Sequence, residues 1–298
     1  MSTRRRGVSA GATSDWTIEG IGGRVAADNI YAPAGIALAT QLPNERAWVQ
    51  TVANHFELYY VMQPGGGSID VELDGVTVLD EPVSLAARVP RLGSLSFDDP
   101  EIGLHRVDVR TVKTGKVRLL GIVSEQINAG VVFDVFGVNG ARASRMLGWN
   151  PVAFADVLKA REPNLVIVAF GTNEAADPDW TPLDYEQLFG RVLRRIHAAV
   201  PTASILVYGP PDRGDTPFVA RRMPYVIEAE RRTAFASNAA FWNSYAAMGG
   251  AGSMRAWTAQ GFGQADHVHL TAAGYLRIAD LFYEDLMRAF RKWSVSSQ

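Results

Sequence analysis

Cysteine is absent from all 298 residues, so the chain can hold no disulfide, no thiolate metal site and no cysteine nucleophile. Excess charge is absent too: 29 basic residues against 31 acidic ones leave a formal net charge of -2, no electrostatic footprint for nucleic acid or an anionic membrane. No apolar run approaches the roughly 20 residues of a membrane-spanning helix. No hydrophobic stretch of signal-peptide type follows Arg4-Arg5-Arg6, which reads as a solvated basic tail, so the chain as written shows no export signal. Lack of cysteine does not decide the compartment, since exported proteins also do without it. What is plentiful is apolar content, 47% against 20% charged, enough to bury a large core in one big domain or two modest ones.

Residues 1 to about 35 are rich in Gly, Ala and Ser without a sustained period, and read as an irregular lead-in around Trp16 and Ile18. From Ile36 onward short β-type runs follow one another: 36–40, 47–52, 56–62, 69–73, 76–79, 94–97, 106–112 and 117–123. Turn chemistry separates them, with Pro64-Gly65-Gly66-Gly67, the hairpin dipeptide Asp74-Gly75 and the tip Lys113-Thr114-Gly115-Lys116. Strands at this spacing predict a β-sandwich or jelly roll. Alternation in His105-Arg106-Val107-Asp108-Val109-Arg110 puts the valines on one face and the charges on a solvated one. Trp48, His55, Tyr59 and Tyr60 are candidates for an aromatic platform under a sugar ring, although core and cross-strand packing is the plainer reading and is preferred.

Past Asn128-Ala129-Gly130 the texture becomes strand, loop, helix, the signature of a parallel sheet with helices on both faces. Residues 131–136 read as a strand leading into Gly137-Val138-Asn139-Gly140-Ala141, and Asn150-Pro151 caps a helix running to about Arg161. The apolar run 164–170 reads as a central strand buried on both faces, ending at Gly171-Thr172-Asn173-Glu174. A helix carrying Tyr185, Leu188, Val192, Ile196 and Ala199 precedes a strand at 204–208; a helix from about Pro224 to Ala240, a short strand at Phe241-Trp242 and a final amphipathic helix through Tyr275, Ile278, Phe282, Leu286 and Ala289 complete the pattern. Polar residues thus gather just past the strand ends, the edge at which open α/β sheets bind ligands.

Chemistry concentrates at Asp266-His267-Val268-His269, an acid three residues before an imidazole and just ahead of the last helix. A serine hydroxyl becomes a nucleophile when an adjacent imidazole takes its proton, and a carboxylate fixes the tautomer and steadies the imidazolium. His267 reads as packing or capping. A metal cluster of Asp266, His267 and His269 is disfavoured, because no further histidine is well placed and no cysteine exists.

Three blocks in this order, Gly137-Val138-Asn139-Gly140-Ala141, Gly171-Thr172-Asn173-Glu174 and Asp266-His267-Val268-His269, make the chain resemble the SGNH (GDSL-like) hydrolases. The likeness is greatest to their branch of peptidoglycan O-acetylesterases with an inserted carbohydrate-binding-like β-domain, through Gln63-Pro64-Gly65-Gly66-Gly67, Gly209-Pro210-Pro211-Asp212, Phe241-Trp242-Asn243 and Met248-Gly249-Gly250. The resemblance implies a flavodoxin-like, three-layer α/β domain over 129–298, preceded by a β-sandwich over 36–128 and the lead-in 1–35. It also implies that His269 is the general base, that Asp266 orients it, and that the Gly140 backbone N–H and the Asn173 side-chain amide are oxyanion donors. Taken singly, Gly140 would be a turn glycine and Asn173 a loop cap. No cofactor or metal is implied. The implied substrate is an O-acetylated polysaccharide or other ester, outside the cytoplasm in the periplasm or beyond.

The family's first block, Gly-Asp-Ser at the end of the first strand, is missing. Gly214-Asp215-Thr216 imitates it in the wrong place, and neither Ser124 nor Ser144 has the setting of a nucleophile. The expectation is therefore an N-terminally truncated, inactive form whose missing strand and serine belong upstream of Met1. Without that strand, 131–136 and 164–170 would face a gap that closes by direct pairing, is filled from residues 1–35, or leaves the domain unstable. The alternative function is a non-catalytic glycan-binding or remnant scaffold protein.

Overall fold

The computed structural model describes residues 7–31, 35–128 and 130–296. Its strands are β1 (Ser9–Ala12), β2 (Thr17–Gly20), β3 (Ile36–Thr40), β4 (Arg46–Met62), β5 (Ser68–Leu73), β6 (Val76–Thr77), β7 (Val83–Ser84), β8 (Arg91–Lys113), β9 (Val117–Glu125), β10 (Leu165–Val168), β11 (Ser204–Gly209) and β12 (Ala240–Asn243). Its helices are α1 (Ser144–Gly148), α2 (Pro151–Ala160), α3 (Pro182–Ala199), α4 (Pro217–Ala236), α5 (Ser244–Met248), α6 (Ser253–Ala259) and α7 (Ala272–Ser296). The chain divides into two compact units: Met1–Val138 with Gly148–Ala160, and Asn139–Leu147 with Arg161–Gln298.

The first unit is a nine-stranded antiparallel sheet in the order β2-β3-β9-β4-β8-β5-β6, with β1 on β4 and β7 on β5. Residues 47–52 and 56–62, expected as two strands, are one 17-residue strand, and 94–97 and 106–112 fuse into β8. A register shift between Ala53 and His55 absorbs the break in alternation, since a bulge bends a strand without ending its pairing. Beyond it β4 serves two cores: Phe56, Leu58 and Tyr60 enter one, Tyr59 and Val61 the other. The Asp74-Gly75 hairpin has φ of 51° and 85°, as a type I′ turn requires.

The lead-in is not irregular. Its β1 and β2 pair with β4 and β3, and its Ile30 and Tyr31 cover the second core together with Ala153 and Val157 of α2. Helix α2 therefore packs within the sheet unit, not on the parallel sheet that its place in the sequence suggested. Arg118 is the anchor. Almost wholly buried, it donates to Asp28 Oδ2 at 2.6 Å, the Ile30 carbonyl at 2.8 Å and Gln63 Oε1 at 3.3 Å. Its Nε lies 2.8 Å from Glu19 Oε2, an ion-pair contact not aligned as a hydrogen bond.

Tyr59 and Tyr60 are core residues whose hydroxyls donate to Glu57 and to the Ser94 carbonyl, which removes them from any sugar platform. Trp48 lies under the Arg106 guanidinium, 4.4 Å from its ring centre, and His55 pairs with Asp98 at 2.6 Å. The charged face of β8 is also less open than its alternation implied. Asp108 is buried beneath a two-toothed ion pair from Arg106.

The second unit is a three-layer α/β arrangement on the parallel sheet β10-β11-β12. Alternation on β11 sends Leu206 and Tyr208 toward a core of Trp242, Met254, Trp257, Leu270 and Ile278, whereas Val207 is buried on the opposite face, the side of α4. Helix α3 starts at a capping box, Thr181 with Asp184. Helix α4 begins at Pro217 under a Thr216 cap and passes straight through Pro224, the residue expected to start it. One internal proline removes one N–H, and the cap upstream supplies the start.

Two expected strands fare differently. Residues 131–136 form none, and Val131 and Phe133 are 95% and 73% exposed. The run 164–170 yields only β10, which among the described residues is paired on one side, so Leu165 and Ile167 are exposed where central burial was expected. Among the described residues no 131–136 strand pairs with β10, and β1 and β2 of the lead-in pair within the antiparallel sheet.

Candidate active site

Asp266 and His269 are brought together by a loop braced on both sides. Gln264 N–H donates to the His269 carbonyl at 2.8 Å, the Gln264 side chain to the Leu270 carbonyl, and Thr271 N–H to the Phe262 carbonyl. The Thr271 hydroxyl accepts from Gly274 N–H at 3.1 Å at the start of α7. Gly274 is obligatory there, because a Cβ would collide with the Phe262 carbonyl oxygen.

Within this loop the Asp266 carboxylate is fully engaged. Oδ1 accepts the backbone N–H groups of Val268 at 2.9 Å and His269 at 3.0 Å, and Oδ2 lies 2.7 Å from His269 Nδ1. The backbone N–H of His269, then its side chain, then the Val268 N–H hold the Asp266 carboxyl well below the usual carboxylate range. An ionised Asp266 fixes the Nδ1–H tautomer and leaves Nε2 to take a proton. Both side chains face solvent, at 45% and 63% exposure, and among the described residues no side chain bonds to His269 Nε2.

His267 is bent away from this chemistry. It has φ of 55°, its Nδ1 is 3.2 Å from the Thr258 hydroxyl, and its carbonyl accepts from Gly214 N–H. That last bond begins a link to the other expected site residues. Arg213, adjacent to Gly214, pairs with Asp215 and donates to the Thr172 carbonyl at 2.8 Å, one residue before Asn173. Asp215 and Thr216 are thereby structural: one holds Arg213, the other caps α4.

Asn173 Nδ2 donates to the Ala141 carbonyl at 3.1 Å, which sets it against the loop carrying Gly140 and uses one of its two amide N–H groups. Gly140 sits at φ of 73° in that loop. Beneath it lies a group that the sequence reading left without a role. Glu174 is buried and accepts the Ala143 N–H on Oε1 at 2.6 Å and the Gly171 N–H on Oε2 at 2.9 Å. Burial pushes its carboxyl up, against those N–H donors and Arg142. Deeper still, Tyr185 donates to Glu230 Oε1 at 2.6 Å, and both are completely enclosed. Only the position of Glu174 directly after Asn173 could have drawn attention to it. Among the described residues, no cluster of His, Asp and Glu has the arrangement of a metal site.

Comparison with solved structures finds one described as a peptidoglycan O-acetylesterase in action, at 23% identity and a TM-score of 0.67, covering 97% of this chain and 79% of that one. A lipase/acylhydrolase from Enterococcus faecalis aligns over 49% of this chain and 71% of its own, at 20% identity and a TM-score of 0.39. A search of curated protein sequences finds no match. The model of the GDSL-like Lipase/Acylhydrolase family matches residues 112–277, more than half of the chain, and that span holds Gly140, Asn173, Asp266 and His269. With a parallel sheet, a carboxylate-held imidazole ahead of the last helix and this match, the chain belongs to the GDSL-like lipase/acylhydrolase family.

Proposed function

We propose that this protein supplies the base and oxyanion half of a serine esterase that removes O-acetyl groups from a polysaccharide such as peptidoglycan. His269 takes the proton from the attacking serine and returns it to the leaving sugar oxygen, and Asp266 steadies the imidazolium between the two steps. Gly140 N–H and the remaining Asn173 amide N–H receive the negative charge that develops on the acetyl oxygen. The observation carrying this reading is the 2.7 Å contact of Asp266 with His269 Nδ1, which leaves Nε2 open.

The nucleophile belongs to a further strand added along the free edge of β10, where Leu165 and Ile167 are exposed. Such an enzyme works outside the cytoplasm, where O-acetylated wall polysaccharide is found. A second reading is favoured by the openness of the pair and by the absence, among the described residues, of any side chain on His269 Nε2: a non-catalytic glycan-binding or scaffold protein.

Acetate release from O-acetylated peptidoglycan separates the two. The chain as given is expected to release none. A form extended by an apolar strand ending in Gly-Asp-Ser, added along β10, is expected to hydrolyse. In it His269→Ala lowers kcat by on the order of 10³ or more, and Asn173→Ala by about 10²–10³. No hydrolysis by the form so extended, or hydrolysis indifferent to His269, would overturn the proposal.

A further inference from the structure

Two loops carry the proposed oxyanion donors, and neither is held by regular structure of its own. Among the described residues the loop with Gly140 has no strand or helix between β9 and α1, and the loop with Asn173 holds a single 3-10 turn, Glu174–Ala176. Contacts that tie them are Asn173 to the Ala141 carbonyl, Arg142 to Asp177 at 2.7 Å, and Glu174 to both loops at once. The first two involve partly exposed groups. The third is buried and two-pronged, one carboxyl oxygen per loop.

The surroundings leave Glu174 little freedom to leave this position. Its own carbonyl is occupied by the Trp180 indole N–H at 2.8 Å and by the Asp177 N–H at 3.0 Å. Gly171 is pressed from behind: at φ of 98°, a Cβ there would lie 2.7 Å from Glu230 Oε1 and 2.7 Å from Pro210 Cγ. The Gly171 N–H is therefore aimed at Glu174 by packing, and Glu174 passes that constraint to Ala143.

We propose that Glu174 is a positioning residue that sets the separation of the two oxyanion donors by gripping the Ala143 and Gly171 N–H groups with its two oxygens. It touches no reacting atom. This assignment rests on the proposed esterase reading for its purpose, but its geometry is testable without any hydrolysis. A glutamine in its place keeps the volume and one acceptor and turns an N–H₂ toward one of the two N–H donors, so one prong must open.

The experiment is amide hydrogen exchange and TROSY NMR on the chain as it stands, wild type against Glu174→Gln. Exchange at Ala143 and Gly171 is expected to rise by at least tenfold, and the Asn173 side-chain amide signals to shift, while amides in α3 and β11 stay within about twofold. Unchanged Ala143 and Gly171 amides, or a uniform rise across the unit, would overturn the assignment. Where the variant fails to fold, a pH titration of the wild type decides: both amide signals are expected to move with one common midpoint, and independent behaviour refutes the shared acceptor. In a hydrolysing form of the enzyme, Glu174→Gln lowers kcat by roughly tenfold or more with KM unchanged, because the donors act on the transition state. Loosened amides with no hydrolysis in any form would leave the positioning role standing and sink the esterase reading instead.

Discussion

Replacing Glu230 with glutamine tests the buried acid beneath the Gly171 loop. Glu230 is completely enclosed; Tyr185 donates to its Oε1, and its Oε2 has no partner among the described residues. Burial first, and the nearby Glu174 carboxylate second, push its carboxyl well above the ordinary value of 4.5, outweighing the Tyr185 hydrogen bond. A carboxyl with a raised folded-state pKa keeps its proton in the folded protein after the unfolded chain has lost it. Its contribution is therefore fully present below about pH 4.5 and drains away as pH rises toward the folded value. One extra bound proton corresponds to about 1.4 kcal/mol per pH unit, so the second unit loses stability at about that slope while pH lies between the unfolded and the folded value of this residue. Glutamine preserves the acceptor for Tyr185 and cannot ionise, so the slope is expected to fall by one proton equivalent, and the variant to gain on the wild type as pH rises. Glu174, raised in the same direction, leaves a smaller residual slope. Because a two-unit chain need not unfold in one step, the measurement is hydrogen exchange of α3 and α4 amides at pH-corrected rates across that range. Parallel pH dependences for the two proteins would refute the claim that Glu230 is held neutral.

Arg118→Met removes the buried cation from the Glu19–Asp28 cage, leaving Asp28 without this ion pair and Glu19 with Lys116 at 2.6 Å. The expected cost is about 3–5 kcal/mol, read as faster exchange of β2 and residues 26–31 and an earlier urea midpoint; a loss under about 1 kcal/mol would show that the cage is not what seats the lead-in. Ile167→Lys charges the open edge of β10 and is expected to suppress concentration-dependent association in light scattering without changing exchange in β11. Equal association by both proteins would mean that this edge is not the sticky surface.

Much of the second unit could be read from the order of its residues. Apolar period, a Thr-x-x-Asp capping box and Pro stops define α3, and the acid three residues before an imidazole places Asp266 against His269 because the contact is local. The helix beginning at Thr216 was missed for a local reason as well, since Pro224 looks like a start until an earlier cap makes it an interior residue. In the first unit the Asp74-Gly75 hairpin followed from its dipeptide, whereas the 17- and 23-residue strands did not, because a bulge hides continuity behind broken alternation.

What the sequence determined by itself is therefore what depends on near neighbours: turn types, helix phases, the Asp266–His269 pair and the order of the family's blocks. Only the tertiary structure decided that residues 17–31 are bolted down by Arg118, that α2 serves the antiparallel sheet, that β10 is paired on one side among the described residues, and that Glu174 spans two loops 31 residues apart. Each of these rests on burial or on partners distant along the chain. The free energy of enclosing a charge, or of leaving a strand edge open, is fixed by what surrounds it in space and not by its neighbours in sequence.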